Sequence, residues 1–527
     1  MKASLRVLLA RGYFPEGIPQ AFDSRSFGAA TTRRGLTLPP EFIPDKKGRF
    51  RRNSFLANHN LARVGQLRRP LGIPNPVLQY NLAREIVSSR ANIARHFLRD
   101  PLSVTLPVPD QNNERGLVTA VGPPDRVERT AEARSRGRYL LSADILKFYP
   151  SVYTHSLAWA LHGKAVAKSR RRDWTLLGNR LDFWVRQSQD QETRGIPIGP
   201  DTSLVLAEIL LAAVDEELQK QIGTVHGYRA IDDYQLVFPT FSAAEGALTA
   251  LQGVFDEFDL QLNEEKTGIS ELPARLDDLW PAHLRQAIIR NSAIRQGRDL
   301  LDFFSLAFGL ARENPKASVL RYALSRVRGL NIADVNWAIY QNLLFQCAHA
   351  EPGTLPHVTS ELVRYRAVGA DVDQDRVADL VSQIIARHLS LGHGSEVVWA
   401  LWLAIKLGVT LQQDVTTALP KTSDSLVPLL ALYANEKGLL TGVLDVSVWL
   451  NLMTPEELWR ENWLLSYEAN VKKWLPSAGG GDHVSQDPCF AFLKKEKVSF
   501  FNGRASPFKV KRWRPRPTII ATAMSPG

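Results

Sequence analysis

The chain has 527 residues, of which 44% are hydrophobic and 23% charged, and this length allows two to four domains with large cores. Its formal charge of +11 indicates a polyanionic partner, which is an inference about association and not about fold. The chain has only two cysteines, which exclude a disulfide framework and a four-cysteine zinc site, so a cytoplasmic compartment is expected. The most apolar stretch, 397–405, is too short for a membrane span, which requires about 20 residues.

Residues 1–60 are rich in proline, glycine and arginine. Cations cluster at Arg33-Arg34, at Lys46-Lys47 and again between residues 49 and 52. This composition predicts a basic N-terminal arm that is extended or wraps the protein, instead of forming a core unit. A solvated, partly disordered lead-in is the alternative interpretation.

Residues 61–275 alternate between helix and strand patterns. The apolar run 139–143 predicts a strand that ends at Asp144. Strand-forming residues flank Asp232-Asp233 on both sides, which predicts a tight hairpin with carboxylates at its turn. The simpler interpretations are a helix N-cap for Asp144 and a solvated turn for the acidic pair.

Carboxylates from separate strands can converge on two divalent cations about 3.5–4 Å apart, an arrangement that promotes in-line displacement at phosphorus. Asp144, Asp232 and Asp233 offer the hard oxygen ligands that Mg²⁺ prefers, and they suit Mg²⁺ better than zinc. A helix predicted over 203–218 connects the glycine-containing segment 195–203 to the hairpin. The order of these segments therefore predicts a nucleotidyl-transfer site.

Residues 276–475 show helical patterns almost throughout, and antiparallel helices with short connections favour an α-solenoid-like array without a clean repeat. One helix start is well marked, because Thr454 is a candidate N-cap, Pro455 suits the first helical position and Glu457 completes a capping box. The predicted helices are near 281–295, 301–313, 316–328, 334–349, 356–367, 375–391, 395–407, 424–436 and 454–470.

Residues 476–527 contain a glycine run at 479–481, which opens a separate tail that interleaves aromatic with cationic side chains. Stacking faces together with cations are what single-stranded nucleic acid requires. The alternative is a tail whose aromatics dock on the helical region while its charges stay solvated. The candidate nucleic-acid-binding residues of this basic aromatic tail are Lys494, Lys495, Lys511, Arg512 and Arg514.

The motifs together resemble those of the reverse transcriptases. Asp144 lies in a match to the first catalytic motif, residues 195–203 in a match to the second and Asp232-Asp233 in a match to the third. Residues 69–74 are similar to the fingers motif, and residues 262–267 to the motif that follows the catalytic hairpin. The resemblance covers about residues 60–275 and implies an α+β fold, with the fingers and palm of a right-hand polymerase at 61–275 followed by an all-α helical-repeat-like region.

The resemblance also implies roles for individual residues. The implied catalytic residues are Asp144, Asp232 and Asp233. The implied binding site for two Mg²⁺ ions, which Mn²⁺ can replace, consists of Asp144, Ile145, Asp232 and Asp233. Arg69 holds the incoming triphosphate, Tyr149 is the steric gate against a ribose 2′-OH, and Lys266 lies near the leaving group. The remaining nucleotide-binding residues are Gly195, Pro197 and Gly199.

Segments 148–156, 159–163 and 195–203 are similar to the abortive-infection and other phage-defence reverse transcriptases of bacteria. This subgroup implies an RNA-directed or template-independent DNA polymerase in antiviral defence, and some of its members prime from a protein hydroxyl. The expected partners are dNTPs, an RNA template or associated RNA, the DNA product and further copies of the chain. Ala230 and Ile198 depart from the family pattern, where an aromatic residue and Gln are common.

Two alternatives stay open. One is an RNA-dependent RNA polymerase, against which Tyr149 argues. The other is a catalytically silent, polymerase-derived RNA-binding scaffold, against which the three aspartates argue, because a site freed from catalysis has no reason to keep mutually repelling carboxylates.

Overall fold

The structure of the protein is a computed structural model that describes residues 4–45, 48–64, 67–99, 102–122 and 125–507. The described residues form a mixed α/β fold in which the strands are short and lie between residues 57 and 271. The strands are β1 (Ala57–Ala62), β2 (Arg68–Ile73), β3 (Pro107–Pro109), β4 (Leu117–Thr119), β5 (Tyr139–Asp144), β6 (His226–Ala230), β7 (Asp233–Phe238) and β8 (Gly268–Glu271).

Helices surround these strands and continue to the end of the described chain. They are α1 (Leu5–Arg11), α2 (Arg25–Thr31), α3 (Pro76–Ser88), α4 (Arg90–Phe97), α5 (Arg126–Arg134), α6 (Phe148–Ser151), α7 (Ser156–His162), α8 (Lys164–Ser169), α9 (Leu177–Gln187), α10 (Asp201–Ile222), α11 (Phe241–Glu257), α12 (Leu279–Gln286), α13 (Ala293–Glu313), α14 (Val319–Val327), α15 (Trp337–Ala350), α16 (Leu355–Ala367), α17 (Gln374–Leu389), α18 (Gly394–Leu407), α19 (Gln413–Ala418), α20 (Val427–Glu436), α21 (Ser447–Leu450), α22 (Trp463–Val471), α23 (His483–Gln486) and α24 (Pro488–Lys495).

The sheet that carries the acidic residues has four antiparallel strands in the order β6-β7-β5-β8. Side chains alternate between its two faces. Leu141, Tyr234 and Leu236 are fully buried and share the main hydrophobic cluster with side chains of α11. The opposite face carries the cross-strand pairs Ser142–Gln235 and Asp144–Asp233. The apolar periodicity of β5 and β7 thus fixes which face presents the carboxylates.

α10 is the longest helix, with 22 residues, and its side chains are buried over most of its length. An apolar helix of this kind is stabilised by packing on several sides and not by an exposed polar face. Glu208 and Asp215 are fully buried among these apolar side chains. Such carboxylates require partners, because an unpaired buried charge is costly.

The N-terminal segment is packed into the protein, which corrects its interpretation as an arm outside the core. Leu8, Tyr13, Phe14 and Phe27 are buried and belong to the main hydrophobic cluster. The Lys46-Lys47 pair lies outside the described residues. Local composition missed this packing because the partners of these side chains lie far away in sequence.

The helical character of the chain after β8 agrees with the prediction, but the marked helix start at Thr454 is wrong. Thr454 Oγ1 does accept the Glu457 N–H, as a cap would. The cap begins only a short 3₁₀ turn (Glu457–Trp459), since Arg460 is extended and the following helix, α22, begins at Trp463.

The described part of the C-terminal segment is also integral to the fold. Phe490 and Phe500 are fully buried, and Phe500 contacts Tyr13, Phe14 and Phe27 near the other end of the chain. Main-chain hydrogen bonds run from Asp23 N–H to Phe500 O and from Asn502 N–H to Ala21 O. For these residues the docked alternative is the one that the structure supports. No described helix is long and apolar enough to cross a membrane.

Candidate active site

Three aspartates predicted from the sequence lie together at one end of the four-stranded sheet. Asp144 is the last residue of β5 and pairs directly with Asp233, the first residue of β7. Directly opposed residues on antiparallel strands have Cα atoms about 5 Å apart, so their side chains meet on one face. Asp232 occupies the turn before β7, and its carbonyl accepts the Ile145 N–H at 3.2 Å. The main chain of Ile145 therefore lies between the two acidic segments.

The turn between β6 and β7 has two residues, Ile231 and Asp232, because Ala230 pairs with Asp233. Ile231 has φ +56°, in the left-handed region that β-branched residues rarely adopt. Hairpin turns with positive φ at this position ordinarily use glycine. The strained conformation is therefore held by contacts elsewhere, and strain of this kind is concentrated at functional sites.

Asp144 has two side-chain partners from the segment after α11. Asn263 Nδ2 donates to its Oδ1 at 2.7 Å, and Lys266 Nζ donates to its Oδ2 at 2.8 Å. Asn263 N–H also donates to the Asp144 carbonyl. The sequence placed Lys266 in this site by resemblance but gave Asn263 no role, although both belong to the same short motif.

The pKa values of the three carboxyl groups are shifted in different directions. Burial acts to raise the pKa of Asp144, but the hydrogen bonds from Lys266 and Asn263 outweigh it and hold that pKa below its ordinary value. Desolvation, followed by the hydrogen bond shared with Asp144, raises the pKa of Asp233 to about 7. Desolvation also raises the pKa of Asp232, and the charge of Asp144 adds to that shift.

This arrangement fits divalent cations. Carboxylates that share a hydrogen bond must hold a proton between them, or else a cation must offset their repulsion. The Asp144 and Asp233 side chains share such a bond, Asp232 is adjacent, and all the side-chain ligands on offer are oxygens. Mg²⁺ prefers few protein oxygens and completes its shell with waters and substrate phosphates.

Arg69 lies on the β1–β2 hairpin, paired with Leu61, and its side chain is exposed. Partial desolvation lowers its pKa, with Arg63 adding to the shift, while the negative charge of Asp232 opposes it. Gly72 N–H donates to Ile198 O at 3.1 Å and joins the hairpin to the loop before α10. The hairpin thus carries a cation whose charge interacts with that of Asp232.

Tyr149 is half-buried in the short helix α6, just beyond Asp144. Burial raises its pKa well above the ordinary value, and the charges of Glu208 and Asp232 raise it further. Its carbonyl accepts the Ile196 N–H at 2.9 Å. The Tyr149 hydroxyl is therefore neutral at physiological pH, and its main chain contacts the 195–199 loop.

Gly195, Pro197 and Gly199 lie in this loop before α10. Gly195 has φ +87° and donates its N–H to Val152 O, which requires a residue that tolerates the left-handed region. Gly199 has φ +139°, and a Cβ there would lie 2.6 Å from the Pro15 side chain. The need for glycine at position 199 is thus explained by contact with the N-terminal segment.

Two of the nucleic-acid-binding residues predicted in the tail, Lys494 and Lys495, lie in the described part of the chain on α24. Lys494 Nζ donates to Asn470 Oδ1 and to Asp482 Oδ2, so its charge has partners within the fold. Lys495 is exposed on α24. Lys511, Arg512 and Arg514 lie outside the described residues.

A second group of metal-ligating side chains consists of His388, His393 and Glu396. The Nδ1 atoms of the two histidines are 3.0 Å apart and contact each other, while both Glu396 oxygens accept hydrogen bonds from Arg68. Because Arg68 already satisfies the carboxylate, we assign this group a structural role. It joins the β1–β2 hairpin, which carries Arg69, to α17 and α18.

The sequence also missed a buried polar network beneath the turn, formed by Arg229, Glu208, Asp215 and Thr105. All four side chains are fully buried. Arg229 Nε donates to Asp215 at 2.6 Å, and its terminal nitrogens contact Glu208. A charged residue, Arg229, in the strand that leads into the acidic turn was the signal that could have indicated it.

Comparison with known proteins agrees with this geometry. Residues 95–286 match the family described as reverse transcriptase (RNA-dependent DNA polymerase), a range that contains Asp144, Asp232, Asp233 and Lys266. No curated protein matches the chain significantly.

Proposed function

We propose that the protein is a DNA polymerase that adds deoxynucleotides in RNA-directed or template-independent synthesis. The observation that carries this proposal is the meeting of Asp144, Asp232 and Asp233 at one end of the sheet, with Lys266 bound to Asp144. The reverse transcriptase domain at residues 95–286 supports it, since that family comprises nucleotidyltransferases that act on nucleic acid and dNTPs. In this proposal the four-stranded sheet is the palm, β1–β2 belongs to the fingers and the helical region includes the thumb.

Asp144, Asp232 and Asp233 would hold two Mg²⁺ ions, with the main chain of Ile145 beside them and Mn²⁺ as a substitute. Divalent cations held there would supply Lewis-acid chemistry for nucleotidyl transfer and would offset the negative charge of the phosphates. The contribution of the chain is to present deprotonated oxygens. Because the pKa of Asp233 is about 7, that side chain must lose its proton before it can act as a ligand.

Arg69 and Lys266 supply the positive charge that the triphosphate requires. Arg69 lies on the hairpin outside the sheet and would bind the phosphates of the incoming nucleotide. Lys266 would protonate the departing pyrophosphate, and its hydrogen bond with Asp144 keeps it protonated by raising its pKa. The role of Lys266 is supported by its direct contact with a catalytic carboxylate.

Tyr149 would select the sugar. Its side chain is half-buried, and the hydrogen bond from Ile196 N–H to the Tyr149 carbonyl ties this segment to the 195–199 loop. In this proposal, which the family resemblance supports, the ring would occupy the space that a ribose 2′-OH needs. Deoxynucleotides are therefore the proposed substrates.

If synthesis starts on a protein hydroxyl, serine or threonine is the proposed primer residue. All twelve tyrosines lie within the described residues, and each is buried or half-buried. A primer residue must reach the active site and then move away as product grows, which a packed tyrosine does not allow. A serine or threonine linkage would be cleaved by alkali, whereas a tyrosine linkage would survive.

A role in phage defence and assembly into homo-oligomers complete the proposal, both supported by the resemblance to abortive-infection reverse transcriptases. Expression in a bacterial host should lower phage plating efficiency, and an Asp233→Asn variant should not. Light scattering of the purified protein tests the oligomeric state.

The decisive experiment is incubation of purified protein with Mg²⁺ and each labelled dNTP, with and without a primed RNA template. Label in a nucleic acid of defined length, lost in Asp233→Asn, is the expected result. Equal use of rNTPs would favour an RNA polymerase. Binding of RNA without incorporation under any of these conditions would favour a silent scaffold.

A further inference from the structure

The catalytic turn, which consists of Ile231 and Asp232, has a backbone conformation that contacts from other residues must stabilise. Ile231 adopts φ +56°, which its β-branched side chain disfavours, and it is followed directly by Asp232. The orientation of the Asp232 carboxylate depends on this backbone conformation. Some other part of the molecule must therefore hold Ile231 in place.

Both main-chain groups of Ile231 are bound by buried side chains. Its N–H donates to Thr105 Oγ1 at 2.8 Å, and its carbonyl accepts from a terminal nitrogen of Arg229 at 3.0 Å. The Thr105 hydroxyl in turn donates to Glu208 at 2.8 Å, and Arg229 contacts the same carboxylate at 3.1 Å. Glu208 thus orients Thr105 and Arg229, the two side chains that bind the main chain of Ile231.

The network extends into the surrounding elements. Glu208 and Asp215 are seven residues apart on α10, so they lie two turns apart on one helix face. Asp215 accepts hydrogen bonds from Arg229 and from the Tyr234 hydroxyl, the latter at 2.8 Å. The Arg229 main chain is bonded to Leu102 and to Val104 on the segment that leads to Thr105.

We propose that Thr105, Arg229 and Glu208 are positioning residues that fix the catalytic turn and thereby set the affinity of Asp232 and Asp233 for divalent cations. They act through the main chain of Ile231 and not by contact with substrate. The proposal rests on the proposed function for its consequence in catalysis, but its effect on cation binding is measurable independently. Partners of metal ligands typically change metal affinity or activity by 10–100-fold when they are removed.

Two hydroxyl deletions in the same network separate positioning from packing. Thr105→Val removes the group that binds Ile231 directly. Tyr234→Phe removes a buried hydroxyl that lies three hydrogen bonds away from the turn, through Asp215 and Arg229. Both variants should lose thermal stability, since each leaves a buried carboxylate with one donor fewer, and Thr105→Val should lose more because it also leaves the Ile231 N–H without its acceptor.

The measurements are Mn²⁺ binding to the full-length protein by titration calorimetry, melting temperature, and steady-state kinetics with a dNTP at saturating cation. Thr105→Val should weaken Mn²⁺ binding by about tenfold or more, and Tyr234→Phe by less than about threefold. In Thr105→Val, kcat should fall while the KM for dNTP changes little. Thr105→Ser, which keeps the hydroxyl, should bind Mn²⁺ as the unmodified protein does.

Replacement of Ile231 supplies the second test. Ile231→Gly relieves the positive-φ strain, because glycine adopts that region freely. In an Ile231→Gly background, Thr105→Val should have little further effect on Mn²⁺ affinity, and this comparison remains available if Thr105→Val alone fails to fold.

Equal Mn²⁺ affinity in Thr105→Val and Tyr234→Phe would overturn the positioning role and leave a structural network. So would an unchanged effect of Thr105→Val in the Ile231→Gly background. Protein that binds Mn²⁺ with the expected dependence on Thr105 but never incorporates nucleotides would sustain this inference and refute the proposed polymerase activity.

Discussion

Asp144 and Asp233 form a cross-strand pair on β5 and β7 and share a hydrogen bond between their carboxylates. Lys266 and Asn263 bind Asp144, so its charge is the better stabilised of the two. Asp144 is therefore held ionised, whereas Asp233 binds a proton that a cation can displace.

Removing one of these carboxylates should abolish activity without unfolding the protein. Asp232→Ala and Asp233→Asn should each lower nucleotide incorporation by about a thousandfold or more, because groups that act as a unit are all required. Melting temperature should hold or rise, since repulsion among the carboxylates is relieved. Substantial residual synthesis in either variant would contradict a metal-binding role for that residue.

The stability of the metal-free protein should depend on pH through Asp233. Its pKa is raised from an ordinary value of 3.8 to about 7, so the stability linked to its proton is full below about pH 4 and is lost as pH rises through 7. Between pH 5 and 8 in EDTA, the melting temperature of the unmodified protein should fall more than that of Asp233→Asn. Adding Mg²⁺ at pH 8 should raise the melting temperature of the unmodified protein only. Parallel pH profiles for the two proteins would contradict the assignment.

Tyr149→Val should admit ribonucleotides. The smaller side chain opens the space beside the sugar while leaving the three aspartates in place, so dNTP use should fall much less than rNTP use rises. The ratio of kcat/KM values for dNTP and rNTP measures the change, with Tyr149→Phe as the control that keeps the ring. If the unmodified protein already uses both sugars equally, the gate assignment is wrong.

Lys266→Met should slow incorporation while sparing the fold. The Lys266 side chain is 61% exposed, so its ion pair contributes little to stability, about 1 kcal/mol or less. Loss of its hydrogen bond should raise the pKa of Asp144 and shift the activity profile towards higher pH. If Lys266 only sets that pKa, raising the pH should restore full activity. If it also protonates pyrophosphate, a deficit of about 10²–10⁴-fold should persist at every pH.

The sequence predicted where the three acidic residues lie relative to the strands, because that signal is local. Asp144 and Asp232-Asp233 lie beside apolar strand patterns, and antiparallel pairing brings such strand ends together. Thr454 shows the limit of local signals, since its cap forms but the extended Arg460 interrupts the helix after one turn.

Long-range contacts account for most of what was missed. Tyr13 and Phe500 pack edge to face although they lie near opposite ends of the chain, and no periodicity in either segment indicates the other. Long-range contacts also explain why the sequence did not indicate the buried network of Arg229. Its partners, Glu208 and Asp215, lie on α10. Nothing in the sequence distinguishes these two carboxylates from surface charges, but in the fold both are fully buried.

These contacts also determine how the tail must be tested. Deleting residues 482–527 would remove the buried Phe490, Phe500 and Phe501 and should prevent folding, since each large-to-small change at such a position costs about 3–5 kcal/mol. Deleting only residues 508–527 keeps all three of these buried phenylalanines in the chain. This shorter deletion isolates Lys511, Arg512 and Arg514 from the packing of the segment before them.

The shorter deletion should weaken binding to single-stranded nucleic acid in a salt-dependent way. Residues 508–527 contain five cations and no acidic residue, so if all five contact phosphates the slope of log K against log salt should become shallower by about 3.5. The combined replacement of Lys511, Arg512 and Arg514 by Gln should produce about three-fifths of that change, while replacing Trp513 by Ala should lower affinity without altering the slope. Fluorescence anisotropy with a labelled oligonucleotide at several salt concentrations gives both quantities. Equal slopes for the full chain and the 508–527 deletion would exclude phosphate contacts by this segment and leave product binding to the polymerase domain.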